Sequence, residues 1–222
     1  MQRVFIHRGM CLIGVLLGQA AAARAAGAQL RVELEPVGGV YTGFGSFPRP
    51  ASPGPFQFPD TLTQGTSIAL GGQVTVWPTD RVGIRLFAMT AGSEVGADQR
   101  DLLNREPVPA RVTVTGLEAV VELRELPSGT RIHAAGGPAI VSRSGEFYRD
   151  FDGLRDVGLS LGVGSQLRVT SRLRLQGDVR ALLYSLALTD GEGLRYPSAF
   201  QTDLLAGLGL VLSLGGADVE EE

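Results

Sequence analysis

The stretch Arg172–Leu188 limits the possible fold more than any other part of the chain. From 172 to 181 its odd positions are Leu173, Leu175, Gly177, Val179 and Ala181, and its even positions are Arg172, Arg174, Gln176, Asp178 and Arg180. A β-strand sends successive side chains to opposite faces, so this segment has one apolar face and one charged face. In water the apolar face must be covered. In lipid the roles exchange, and the charges need an enclosed interior. One strand does not separate these cases, but the rest of the chain does.

Seven further stretches alternate in the same way. Leu30–Tyr41 sets Leu30, Val32 and Leu34 against Arg31, Glu33 and Glu35. Thr66–Trp77 carries Ile68, Leu70, Val74 and Val76 on one face. Val82–Gly92 opposes Val82, Ile84, Leu86 and Ala88 to Arg85. Ala110–Glu125 has Val112 and Val114 in one phase and Leu117, Ala119, Val121 and Leu123 in the other, which predicts a bulge and a phase slip near Thr115–Gly116. Arg131–Ser142 opposes Ile132, Ala134 and Ile140 to His133. Asp156–Thr170 alternates Val157, Leu159, Leu161, Val163, Leu167 and Val169 with Gly, Ser, Gln and Arg. Phe200–Leu214 places Leu204, Leu208, Leu210, Leu212 and Leu214 in one phase. No later segment has the run of about 18 apolar residues that a membrane helix needs, so a membrane role has to run through strands. Many of the 31 glycines fall inside these strands, which suits the crowding and curvature of a small closed barrel.

The connections alternate in length. Short ones follow the second, fourth and sixth strands, at Pro78–Arg81, Leu126–Thr130 and around Ser171. Long ones follow the first, third, fifth and seventh, at about 43–65, 93–109, 143–155 and 189–199. An up-and-down barrel with both ends of the chain at one rim produces this alternation. The expected fold class is all-β: an eight-stranded antiparallel up-and-down transmembrane barrel with four long extracellular loops and short periplasmic turns. The first loop holds a proline-rich segment, Phe47–Pro59, either a recognition element in polyproline conformation or a stiff surface loop. The third, with Phe147, Tyr148 and Phe151, either touches lipopolysaccharide or a partner, or packs over the barrel mouth.

Residues 1–28 read as a secretory signal peptide. Arg3, His7 and Arg8 precede an apolar core, Met10–Leu17, too short to span a bilayer, and Ala23-Arg24-Ala25 or Ala26-Gly27-Ala28 fits a cleavage site. An uncleaved anchor helix is the alternative. The one cysteine, Cys11, lies in this leader, so the remainder has no disulfide, thiol nucleophile or cysteine metal site. The expected division is signal peptide 1–28, barrel 29–214 and acidic tail 215–222.

With a leader, eight amphipathic strands, alternating turns and loops, and a strand near its end, the chain resembles the eight-stranded outer-membrane β-barrel proteins, of the outer-membrane protein A-like or porin-like kind. The resemblance covers about 29–214. It implies export to the cell outer membrane of a Gram-negative bacterium, contact with outer-membrane lipid and lipopolysaccharide, handling by the barrel-assembly machinery, and a monomer. Such proteins serve as anchors, adhesion surfaces, narrow pores or, less often, lipid-modifying enzymes. Two features depart from the pattern. The last strand ends Leu212-Ser213-Leu214 rather than on an aromatic residue, and aromatics make up only 6% of the chain, with Trp77, Tyr41, Tyr184 and Phe200 near strand ends as the expected girdle.

If the apolar phases face lipid, the opposite phases supply a lumen charge network of Arg31, Glu33, Glu35, Arg85, Glu118, Glu122, Arg124, His133, Arg168, Arg174, Asp178, Arg180 and Asp203. An eight-stranded barrel is just wide enough for side chains to fill, and an unpaired buried charge is costly, so Arg–carboxylate pairs are expected to plug it. Closure of the last strand on the first is expected to bring Asp203 and Arg180 near Glu33 and Arg31. The expected role is structural, adhesive or interaction. The alternatives are a narrow solute channel of the same fold and a soluble periplasmic lipocalin-like barrel that binds a small apolar ligand with its apolar phases turned inward.

No catalytic residue is assigned and no enzymatic activity is expected. Lipid-modifying barrels, which the resemblance brings in, use a histidine with a serine and an acid. Here His133 is the single histidine after the leader and its phase faces the lumen, while Ser128 and Ser142 are near it only in sequence. No phosphate loop, zinc spacing or calcium loop is present, so no cofactor or metal is expected. A net charge of −3 gives no electrostatic case for nucleic acid.

Overall fold

The structure is a computed structural model that describes residues 30–44, 62–97, 108–191, 193 and 198–214. The leader, most of the proline-rich loop, residues 98–107 and the acidic tail lie outside the described residues. The elements are β1 (Arg31–Gly43), β2 (Leu62–Gln64), β3 (Ser67–Trp77), β4 (Val82–Ala97), β5 (Val108–Glu125), β6 (Arg131–Gly145), β7 (Phe151–Asp152), β8 (Arg155–Arg168), β9 (Leu173–Leu186), β10 (Thr189–Asp190) and β11 (Ala199–Leu214). The long strands pair antiparallel in the order β1-β3-β4-β5-β6-β8-β9-β11, and β11 pairs back onto β1. The sheet is thus an eight-stranded closed barrel, and closure removes the unpaired edges of an open sheet. Short β2 extends the sheet beside β4, and β7 pairs with β10 above the wall.

Three connections lie at one rim, called here the turn rim, and each has local chemistry that closes it. Thr79 Oγ1 accepts a hydrogen bond from Val82 N at 3.0 Å. Gly129, at a φ of 74° that favours glycine, donates its N–H to Leu126 O at 2.9 Å. Thr170 Oγ1 accepts from Leu173 N at 3.0 Å. The start of β1 and the end of β11 share this rim, with Val32 opposite Leu214. The opposite end is the loop rim. There β4 runs on to Ala97 and β5 begins at Val108, so both strands extend into what the alternation assigned to a loop.

The apolar phases face outward. Ile68 is 72% exposed and Val157 75%, and Leu86, Leu161, Val163, Leu175 and Leu208 stand on the same outer surface. This is the reverse of the lipocalin-like arrangement. The period-2 alternation in β5 is continuous, and the phase slip expected near Thr115–Gly116 is absent. Val112 and Val114 point inward while Leu117, Ala119, Val121 and Leu123 point outward or toward the wall, because the interior near the loop rim is itself apolar. The irregularity in β5 lies instead between Glu122 and Arg124, opposite β6.

The girdle expectation is also corrected. Trp77, Tyr41 and Tyr184 are buried inside the barrel, and only Phe200 of the four is exposed. Each inward ring has a polar partner within the lumen, which an aromatic turned to the lipid side would lack.

Candidate functional site: the barrel interior

The interior divides along its axis. Near the turn rim, inward positions of β1, β3, β4, β5, β6, β8 and β9 are polar or charged. Near the loop rim they are mostly apolar, with Tyr41, Phe87, Met89, Val112, Val114, Val141, Leu182 and Leu186 in one cluster.

Glu33 is the hub at the turn rim. It accepts from Trp77 Nε1 at 2.8 Å, Gln166 Nε2 at 3.3 Å and Arg174 Nη1 at 3.2 Å, and it lies 3.2 Å from Arg31 Nε. The Arg31 guanidinium sits 4.8 Å above the Trp77 ring. From Gln166 the network continues through Gln176 at 2.6 Å and then to Asp178 at 3.1 Å. Halfway along the barrel, Glu118 accepts from Ser160 Oγ at 2.6 Å and from Arg180 Nε at 2.9 Å. Arg180 Nη2 also reaches Gln73 Oε1 at 3.2 Å, and Gln73 Nε2 donates to Glu35 Oε2 at 2.6 Å. Arg85 Nη1 is 3.9 Å from Glu118, its Nε donates to Thr75 Oγ1 at 3.2 Å, and its Nη2 lies 3.4 Å from His133 Nε2. The charges of both signs are thus interleaved, which keeps each one from being buried alone.

Three of the residues read as lumen charges stand elsewhere or on the edge. Arg124 is exposed because the irregularity at Glu122/Arg124 turns the strand end out of phase. Arg168 is exposed at the end of β8. Glu122 is partly buried at the turn rim, 3.6 Å from Arg131. Asp203 is inside but far from Glu33 and Arg31. In the register of β11 on β1, Asp203 is opposite Gly43 whereas Glu33 is opposite Ser213, so the two carboxylates lie near opposite rims. Asp203 Oδ2 accepts instead from Tyr41 at 2.6 Å and Tyr184 at 2.5 Å. Beside it Arg143 ion-pairs with Asp156 and lies 5.0 Å over the Tyr184 ring.

The lumen charges read from the sequence omit several members. Arg143 and Asp156 are charged but stand where strand meets loop, and Gln73, Thr75 and Trp77 lie on β3, whose inward phase holds no charge. Ser160, Gln166 and Gln176 share the strand phase of a charged neighbour, so carrying each phase through its uncharged positions finds them. Tyr41 and Tyr184 need the same step.

At the loop rim the connection 146–154 folds back over the mouth. Tyr148 is buried with Val95 and Ala110, its ring 4.9 Å from Phe147 and edge-on to it, and Phe151 stacks on Phe147 at 5.8 Å. Burial raises the Tyr148 hydroxyl above its ordinary pKa. His133, Ser128 and Ser142 are not brought together. His133 is inside near the turn rim, Ser142 faces outward nine residues further along β6, and Ser128 bonds Thr130 within a turn. Among the described residues no group of His, Cys, Asp and Glu has the arrangement of a metal site.

No family model matches the chain, and no curated protein matches it significantly. Solved structures do. The outer membrane protein AlkL in lipid bilayers matches at TM-score 0.58 with 14% identity, over 87% of this chain and 93% of that one. OprG from Pseudomonas aeruginosa matches at 0.54 with 13% identity, over 84% and 96%. Neisserial surface protein A matches at 0.54 with 7% identity, over 82% and 96%. The fold is that of the small eight-stranded outer-membrane barrels. At these identities the likeness is one of backbone path, so the interior of this chain has to be read from its own side chains.

Proposed function

We propose that the chain is an integral outer-membrane barrel with a structural or interaction role, its interior closed by its own side chains. The observation that carries this is the opposition of the two phases: an outer wall of exposed Leu, Ile and Val around an interior in which Arg180, Glu118 and Arg85 are nearly fully buried and mutually partnered. Exposed apolar area on this scale is costly in water and favourable in a bilayer. In this reading the leader directs export, the barrel-assembly machinery inserts the chain, the turn rim faces the periplasm, and the loop rim meets lipopolysaccharide. A monomer suffices, because the closed sheet offers no edge. Among the described residues the interior brings together no nucleophile, base and acid, and no enzymatic activity is assigned.

Membrane fractionation, gel mobility with and without boiling, and planar-bilayer conductance test the proposal together. A membrane-bound chain with shifted mobility and no steady conductance supports it. Steady conductance makes the chain a narrow channel of the same fold. A soluble chain with no shift overturns the membrane assignment.

A further inference from the structure

The outer wall is not uniformly apolar. On β3 the outward row stays apolar up to the loop rim, through Leu70 and Ile68. On β4, β5 and β6 it turns polar earlier. Thr90, Thr113 and Ser142 form one row across the register, with Thr90 and Thr113 hydroxyls 3.3 Å apart. The next row is Gly92, Arg111 and Ser144, with Glu94 one outward position beyond Gly92. On β3, Leu70 pairs with Thr90 and Ile68 is the next outward residue toward the loop rim. At this level the wall carries a groove of about 990 Å³ lined by Ile68, Leu70, Gly92, Glu94, Arg111 and Ser144 among others. Gly92 leaves it open: a Cβ built there meets nothing within 4 Å.

The groove therefore joins an aliphatic wall to a guanidinium, a carboxylate and a hydroxyl at the upper edge of the apolar belt. We propose that it binds one phosphorylated glycolipid of the surrounding leaflet. An acyl chain lies along Leu70 and Ile68, continuous with the apolar outer wall. Arg111 pairs with a phosphate, for which the planar guanidinium is well suited. Glu94 and Ser144 engage sugar hydroxyls. Glu94 is the reason for choosing a glycolipid over a simple phospholipid. A carboxylate beside the phosphate site disfavours an anion with few hydroxyl donors, whereas a sugar offers a ring of hydroxyls to both Glu94 and Ser144. The proposal rests on the membrane reading above.

The test folds the full chain into vesicles and measures lipids retained by native mass spectrometry. The probes are diphosphoryl lipid A, phosphatidylglycerol and phosphatidylcholine at equal mole fraction. Wild type is expected to retain lipid A over both others. Gly92→Leu adds an aliphatic side chain to the lining at a position whose Cβ has room, and Arg111→Gln removes the cation. Each is expected to lower lipid A retention about tenfold, the scale of one lost charge-assisted contact. Arg155→Gln, exposed on β8 at the same rim, is expected to leave it unchanged. Equal retention by wild type, Gly92→Leu and Arg111→Gln overturns the site. Equal retention of phosphatidylglycerol and lipid A overturns the glycolipid assignment. A chain that enters no vesicle and shows no mobility shift overturns the membrane reading, and the site with it.

Discussion

Arg180 on β9 reaches across the barrel to Glu118 on β5, with Nε 2.9 Å from one carboxylate oxygen and Nη2 3.3 Å from the other. The same guanidinium lies 4.2 Å over the Phe87 ring on β4 and bonds Gln73 on β3. One side chain therefore ties β9 to three strands of the facing wall.

Removing Glu118 leaves Arg180 and Arg85 buried without their main counter-charge. Glu118→Ala is expected to destabilise the folded barrel by about 3–5 kcal/mol, read as the urea midpoint of unfolding from vesicles. Glu118→Ala combined with Arg180→Met is expected to be less damaging than the sum of the two single changes, because the second removes the orphaned cation.

Gly116 makes room for Phe87. A Cβ at 116 would collide with Cε1 and Cζ of the Phe87 ring. Gly116→Val is expected to cost about 1–3 kcal/mol as an overpacked interior. In a Phe87→Ala background the added cost of Gly116→Val is expected to fall to the smaller part set by the Pro138 carbonyl, 3.1 Å from the built Cβ. An undiminished cost in that background would place the strain elsewhere.

Depth in the bilayer sets the cost of a charge on the outer wall. Leu161 stands mid-strand in β8, opposite Gly136 and Ala181, whereas Leu175 stands near the turn rim. Leu161→Arg is expected to destabilise by about 2–4 kcal/mol and Leu175→Arg by about 0–1 kcal/mol. Equal costs at the two positions would contradict the placement of the belt.

Trp77 is the one tryptophan of the chain and is 3% exposed, inside the barrel. Lipids brominated along the acyl chain are expected to leave its fluorescence nearly unquenched. Leu161→Trp, at the mid-strand position of β8, in a Trp77→Phe background is expected to be strongly quenched. Quenching of Trp77 itself would return it to the lipid side.

The outer face of this barrel is legible in the sequence because lipid demands apolarity at the outward positions within the belt. Leu173, Leu175 and Val179 against Arg174, Gln176 and Asp178 leave no choice of phase. The inner face is less legible, because its loop-rim half is mostly apolar and holds only a small charged group, Arg143, Asp156 and Asp203. On β5 the pattern inverts near the loop rim: Val112 and Val114 point inward while Arg111, Thr113 and Thr115 point outward. Alternation alone therefore reads as a bulge at Thr115, where β5 in fact runs straight. Register is a second blind spot. Alternation places Asp203 inside but says nothing of how far β11 slides along β1, so its tyrosine partners came only from the structure. At strand ends the phase decays, which is why Arg124 and Arg168 point to solvent.

The Arg180 contacts also have a kinetic meaning. Their partners lie 62 residues away at Glu118 and 107 at Gln73. No local hairpin can form them, and they come into being only when the distant walls of the cylinder meet. Such late contacts act on the unfolding limb. Losing Arg180 should leave the speed of insertion nearly untouched and shorten the lifetime of the finished barrel, so that this arginine works as a latch fastened after the wall has closed.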